Sequence, residues 1–170
     1  MSSSDARPLR RALLVALTGA VAGGCGFQLR GQATYAFDTV YVNAPAFPVF
    51  AAELRRSLEG AGSARLVDAA DKARVVVDVV NIIDDKQVLS LSPGGRVQEY
   101  ALSKVVIFKA RDRDGREWLT QDEIVVRRTY SYDDSQRLAR EIQEQRLQKE
   151  MQTDAVLQIV RRLQAARAPA

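Results

Sequence analysis

From Arg74 to Tyr132 the chain is three long stretches of strand-type sequence separated by only two turn signals, Ser92-Pro-Gly-Gly95 and Arg111-Asp-Arg-Asp-Gly-Arg116. Such runs bury themselves most simply as long antiparallel neighbours, which leaves little freedom in the fold. The first run, Arg74–Ile83, is dense in β-branched residues. It places Val75, Val77 and Val79 on one face and Arg74, Val76, Asp78 and Val80 on the other. Val88–Leu91 continues or resumes it. Val97–Ala110 follows, with Tyr100, Leu102, Val106 and Phe108 on one face interrupted by Lys104. The last run, Glu117–Tyr132, brings Ile124, Val126, Tyr130 and Tyr132 to one side.

An antiparallel sheet needs one face covered, and the flanking sequence supplies two helices. Ahead of the strands, Thr39–Asn43 alternates as a short strand and Asn43-Ala-Pro-Ala-Phe-Pro48 breaks it. Pro48 suits a first helical turn. Phe50, Ala51, Leu54 and Leu58 then repeat at helical spacing until Gly60 and Gly62, and Ala64–Val67 reads as a second short strand. After the strands, Asp134 to about Ala166 contains no Gly or Pro. It carries an apolar stripe of Ala155, Val156, Ile159, Val160 and Leu163, extended less regularly by Leu138, Ile142, Leu147 and Met151. The expected fold is α+β: two helices packed on one mostly antiparallel four-stranded sheet, a two-layer sandwich.

The N-terminus has a different character. Arg7, Arg10 and Arg11 precede eleven uncharged residues, Ala12–Ala22, and then Gly23-Gly24-Cys25. That apolar run has the length of a signal-peptide core and falls short of the roughly 20 residues a spanning helix needs. Cys25 is the only cysteine, so it has no disulfide partner in the chain. The segment resembles a lipobox, with Ala22 where a larger aliphatic residue is commoner. The expectation is a lipoprotein precursor cleaved before Cys25, which then carries a diacylglyceryl group and an N-acyl chain of the palmitate class. Two or more acyl chains anchor stably where one does not, at about 0.8 kcal/mol per buried methylene. Gly26, rather than Asp, after the cysteine favours passage to the outer membrane in a Gram-negative cell. The expected organisation is a signal peptide over 1–24, a lipidated tether over 25–38, a domain over 39–166 and a tail over 167–170.

Removing residues 1–24 takes away three arginines and Asp5, so the net charge falls from +4 to +2. That near balance argues against a bulk nucleic-acid binder. The chain has no histidine, which removes the commonest general base and metal ligand. The paired acids Asp84-Asp85, Asp112/Asp114 and Asp133-Asp134 all read as turn residues. Asp112-Arg-Asp114-Gly115 lacks the later ligands of a calcium loop, and Ser92–Gly95 lacks the Gly-Lys-Ser/Thr ending of a phosphate loop. The reading is a non-enzymatic protein with no metal and no cofactor beyond the lipid on Cys25.

Several short motifs in order resemble the lipopolysaccharide-assembly lipoprotein family LptE. They are Cys25-Gly-Phe-Gln-Leu-Arg-Gly31, the helix Ala51–Gly62, Gly95-Arg-Val-Gln-Glu-Tyr100, Arg128-Thr-Tyr130 and Leu138-Ala-Arg140. The resemblance implies an outer-membrane, periplasm-facing component of the lipopolysaccharide translocon. Such proteins pair one-to-one with the β-barrel LptD, plug it, assist its folding, and bind lipopolysaccharide. It also implies that basic residues near the Gly-x-x-x-Glu-Tyr turn and at the start of the last helix contact that ligand. Arg140 fills the second position, and Arg96 stands three residues from the first, which Pro93 occupies. An alternative reading is an outer-membrane-anchored lipoprotein that activates a peptidoglycan synthase.

Overall fold

The computed structural model describes residues 35–131 and 137–169. The signal segment, Cys25 and Asp133-Asp134 therefore lie outside the described residues. Five strands and two helices follow in the order β1 (Thr39–Asn43), α1 (Pro48–Ala61), β2 (Arg65–Leu66), a 3-10 turn (Ala70–Lys72), β3 (Val75–Leu91), β4 (Val97–Arg111), β5 (Glu117–Ser131) and α2 (Arg137–Ala165).

The strands make one sheet in the order β2-β1-β3-β4-β5. The sheet has five strands, where four were expected. The fifth is β2, which falls within the short strand expected at Ala64–Val67 and joins the same sheet: its two residues pair in parallel with β1, Thr39 opposite Arg65 and Val40 opposite Leu66. Arg65 N–H donates to Asp38 O at 2.8 Å and Val67 N–H to Val40 O at 3.0 Å. A two-residue strand carries almost no alternation, so its pairing is decided by where α1 returns the chain. β1 also runs parallel to β3, from Val40 opposite Val75 to Asn43 opposite Asp78. β3, β4 and β5 form the expected antiparallel meander.

Both meander turns close the same way. Ser92 N–H donates to Arg96 O at 2.7 Å and Asp112 N–H to Arg116 O at 2.8 Å. Gly95 (φ 75°) and Gly115 (φ 86°) take the left-handed position that each turn requires. Asp112 behaves as a turn residue. Its Oδ1 accepts the N–H groups of Asp114 and Arg116, and Arg116 Nε pairs with its Oδ2 at 2.8 Å. Burial of the Asp112 carboxylate is outweighed by these bonds, so its pKa falls below the ordinary 3.8. Asp84-Asp85 departs from the turn expectation, because β3 runs unbroken through it. Asp84 is instead the counter-ion of Lys104, the charge interrupting the apolar face of β4, whose side chain is only 6 % exposed.

The core lies between the inner face of the sheet and the two helices. Val40, Val42, Val75, Val77, Leu102, Val106, Phe108 and Ile124 meet Leu54 and Leu58 of α1 and Met151, Ala155, Ile159 and Leu163 of α2. The C-terminal stripe of α2 is buried as its spacing predicts. Ile142, by contrast, is 60 % exposed. Arg55 of α1 donates to Val42 O at 3.0 Å, which ties the helix to the end of β1. At the opposite end from the Ser92 turn, Tyr35 stacks on Phe37 with centroids 5.0 Å apart, and Phe37 meets Trp118 edge-on at 5.7 Å. All three are buried, so the chain is already part of the core at Tyr35.

Candidate functional site

Two motifs that lie far apart in sequence, Gly95–Tyr100 and Arg128–Tyr130, converge at the Ser92-turn end of the sheet. Register brings Tyr100 of β4 opposite Val88 of β3 on one side and opposite Tyr130 of β5 on the other. The two tyrosine rings stack at 5.7 Å. Lys86 Nζ lies 4.3 Å from the centre of the Tyr100 ring and 5.7 Å from that of Tyr130. Its ammonium reaches Glu144 of α2 at 2.5 Å, and Tyr130 O–H donates to the same carboxylate oxygen at 2.6 Å. An ammonium over a ring face and against a carboxylate is stabilised by both.

The electrostatics follow from that geometry. Burial works against the Lys86 charge, but the hydrogen bonds and charges of Glu144 and Tyr130 outweigh it and raise the pKa well above the ordinary 10.5. For Glu144, burial pushes the pKa up and the bonds from Lys86 and Tyr130 pull it further down, leaving it below 4.5. Burial and the neighbouring carboxylate raise Tyr130. These groups are locked in one protonation state near neutrality, which suits a structural clamp.

Two of the motifs, Gly95–Tyr100 and Arg128–Tyr130, now have a physical reading. Gly95 supplies the left-handed turn residue. Glu99 accepts from Ser90 Oγ at 2.8 Å, closing β3 onto β4 beside the bulge at Val88/Ser90. Arg128 and Tyr130 are two residues apart on one strand and so share the helix-facing side. Arg128 pairs with Asp154, and Tyr130 holds Glu144. Together with Arg162–Asp122 at 2.8 Å, these contacts show α2 running back along β5.

The two candidate cations differ. Arg96 is exposed at the turn, its N–H bonded to Ser92 Oγ at 3.2 Å. On the β3 arm that leads into the same turn, Val88, Leu89 and Leu91 are each about half exposed. Arg140 is buried, 7 % exposed, one helical turn ahead of Glu144 on α2. Of the two residues expected to contact the ligand, one is exposed and the other interior. Lys86 and Glu144 escaped sequence reading. Strand alternation puts Lys86 on the face of Ile82, but only the register shows Tyr100 beside it. Among the described residues, no group of three His, Cys, Asp or Glu side chains could hold a metal ion, and no helix is long and apolar enough to cross a membrane.

The chain matches the family described as "LptE: Lipopolysaccharide-assembly" over residues 37–163. Among solved structures it is similar to uncharacterized lipoprotein B from Nitrosomonas europaea, at 37% identity and TM-score 0.73, covering 82% of this chain and 91% of that one. It is also similar to the rare lipoprotein B from Shewanella oneidensis, at 26% identity and TM-score 0.66, covering 75% of this chain and 95% of that one. A minor lipoprotein from Acinetobacter baumannii shares the fold at 22% identity and TM-score 0.65, covering 79% of this chain and 99% of that one. No curated protein matches. The family match spans most of the chain and includes every strand of the sheet, the first helix and all but the last two residues of α2, so the chain belongs to the LptE family of lipopolysaccharide-assembly lipoproteins.

Proposed function

We propose that this protein is an outer-membrane lipoprotein, anchored through lipid on Cys25 and facing the periplasm. It binds lipopolysaccharide, pairs one-to-one with an LptD-like β-barrel, and assists that barrel's folding and plugging. The observation that carries the ligand half is the β3–β4 turn, which exposes Arg96 and whose β3 arm exposes Val88, Leu89 and Leu91. A cation and an apolar surface on one hairpin match an amphiphile whose phosphates and acyl chains are adjacent. Arg140, the second residue carried as a ligand contact, lies buried on α2.

The test is lipopolysaccharide binding by the purified protein carrying Arg96→Asp, compared with wild type and with Arg96→Asp/Arg140→Asp. The single variant, on an exposed turn, is expected to keep its melting temperature and to bind at least tenfold more weakly. Undiminished binding by the folded single variant would remove Arg96 from the reading. Arg140→Asp puts a carboxylate into a buried position, so the double variant counts only if its thermal unfolding stays cooperative. The partner half is tested by co-purification from detergent-solubilised outer membranes. A large β-barrel in near one-to-one amount supports it, and a peptidoglycan synthase in its place overturns it.

A further inference from the structure

The sheet has an open edge with an unusual surface. β1 pairs with β3 only as far as Asp78, and beyond it no strand of the described residues lies alongside β3 on the side away from β4. Of the nine large hydrophobic residues exposed among the described ones, five sit on β3: Val80, Ile83, Val88, Leu89 and Leu91. The other open edge, β5, has only Val125. Long apolar edges are sites of strand addition unless charges guard them. Here two of the three central charges are turned away from that role. Asp84 is held by Lys104 and Lys86 by Glu144, both on the helix-covered face.

The phase of the edge can be read directly. Ile82 N–H donates to the side chain of Asn81 at 2.9 Å, so it points away from β4. Register is unshifted from Asn81 to Val88, and antiparallel pairs alternate. Hence the N–H groups of Asp84, Lys86 and Val88 also point outward, spaced for an incoming strand. A second copy of this chain is a poor occupant. Two-fold antiparallel pairing must set outward residue against outward residue, so its axis passes through a single residue. Registers centred on the stretch then oppose Asp84, Asp85 or Lys86 to itself, and like charges directly opposite destabilise.

We propose that β3 from Val80 to Leu91 takes up an extended segment of the β-barrel partner as a sixth strand, through main-chain hydrogen bonds. This rests on the barrel partnership of the preceding section. The test uses the full-length lipidated protein in its membrane. A photo-crosslinking residue replaces Val80 or Gln87 on this edge, or Thr120 on the β5 edge as control. Separately, Val88→Pro removes one outward N–H without removing a β3–β4 hydrogen bond, and Thr129→Pro does the same on β5. Crosslinks to the barrel from 80 and 87 but not 120 are expected, with at least tenfold less barrel recovered with Val88→Pro than with Thr129→Pro. If wild type recovers the barrel while 80 and 87 do not crosslink to it and Val88→Pro recovers it equally, strand addition is wrong and the partnership stands. Crosslinks from 80 and 87 to a second copy, or within the same chain, also overturn it. No barrel recovered with wild type overturns the partnership and the assigned occupant together.

Discussion

Lys86 of β3 and Glu144 of α2 are 58 residues apart and meet at 2.5 Å, with Tyr130 bonded to the same carboxylate oxygen. That contact fastens the N-terminal half of α2 to the strand-turn end of the sheet. It matters there because, among the described side chains of this half of the helix, Ile142 faces solvent and Leu147 is only partly buried. The C-terminal half needs no such fastening, since Met151, Ala155, Val156, Ile159 and Leu163 are fully buried.

Glu144→Gln removes the ionic part of this clamp and is expected to cost about 1 kcal/mol at neutral pH, the partial exposure of both side chains keeping it modest. The pKa of Glu144 is lowered in the folded state, so its contribution is fully present above pH 4.5 and lost as pH falls through the folded value. Urea titrations across the acid range should show a shallower loss of stability for Glu144→Gln than for wild type. On the alkaline side Lys86 holds its proton more tightly when folded. Its contribution is complete below 10.5 and fades only as pH rises beyond that.

The pair between Lys104 and Asp84 predicts a non-additive series. Asp84→Ala leaves the Lys104 ammonium buried without its counter-ion and is expected to cost about 3 kcal/mol. Asp84→Val combined with Lys104→Leu replaces two charges by apolar groups beside the buried Leu102 and Val106 of β4, and should recover most of that loss. Chemical denaturation of Asp84→Val, Lys104→Leu and the double variant completes the cycle. Additive losses would show that the pair is not the unit of stability.

Trp118 and Phe37 fix where the chain joins the domain. Trp118→Ala should destabilise by about 3 kcal/mol, the usual cost of removing a large buried aromatic. The same change should free the segment around Tyr35, so limited proteolysis near that residue should quicken before global unfolding does. Equal protection in variant and wild type would mean that the aromatic contact does not hold the segment.

Two glycines should respond with opposite sign. Gly60 is helical and has nothing within 4 Å of an added Cβ, so Gly60→Ala should stabilise by about 0.5–1 kcal/mol. Gly95 is equally uncrowded but sits at φ 75°, so Gly95→Ala should destabilise by about 1 kcal/mol through backbone strain alone. Thermal melts of the two variants should move in opposite directions.

Local pattern carried much of this fold. Helical spacing at Phe50, Leu54 and Leu58 and at Ala155, Ile159 and Leu163 marked the faces that are buried, because each periodicity has only one way to hide its apolar side. Alternation at Tyr100–Phe108 and the glycines at 95 and 115 marked the meander, because a left-handed turn residue and a period of two are both local properties. The order of short motifs was likewise legible and led to the family.

What pairs with what was decided only in three dimensions. Whether β2 joins the sheet, whether Asp84 serves a turn or neutralises Lys104, and whether Arg140 faces water all depend on register and on the path of α2. None of these has a local signature, since an Asp reads the same in a turn or opposite a lysine, and an Arg the same on either side of a helix. The convergence of Lys86, Tyr100, Tyr130 and Glu144 and the bare edge of β3 belong to the same class. The chain's own pattern determined which faces had to be covered. The tertiary structure determined what covers them, because pairing energies depend on distance and not on position in the sequence.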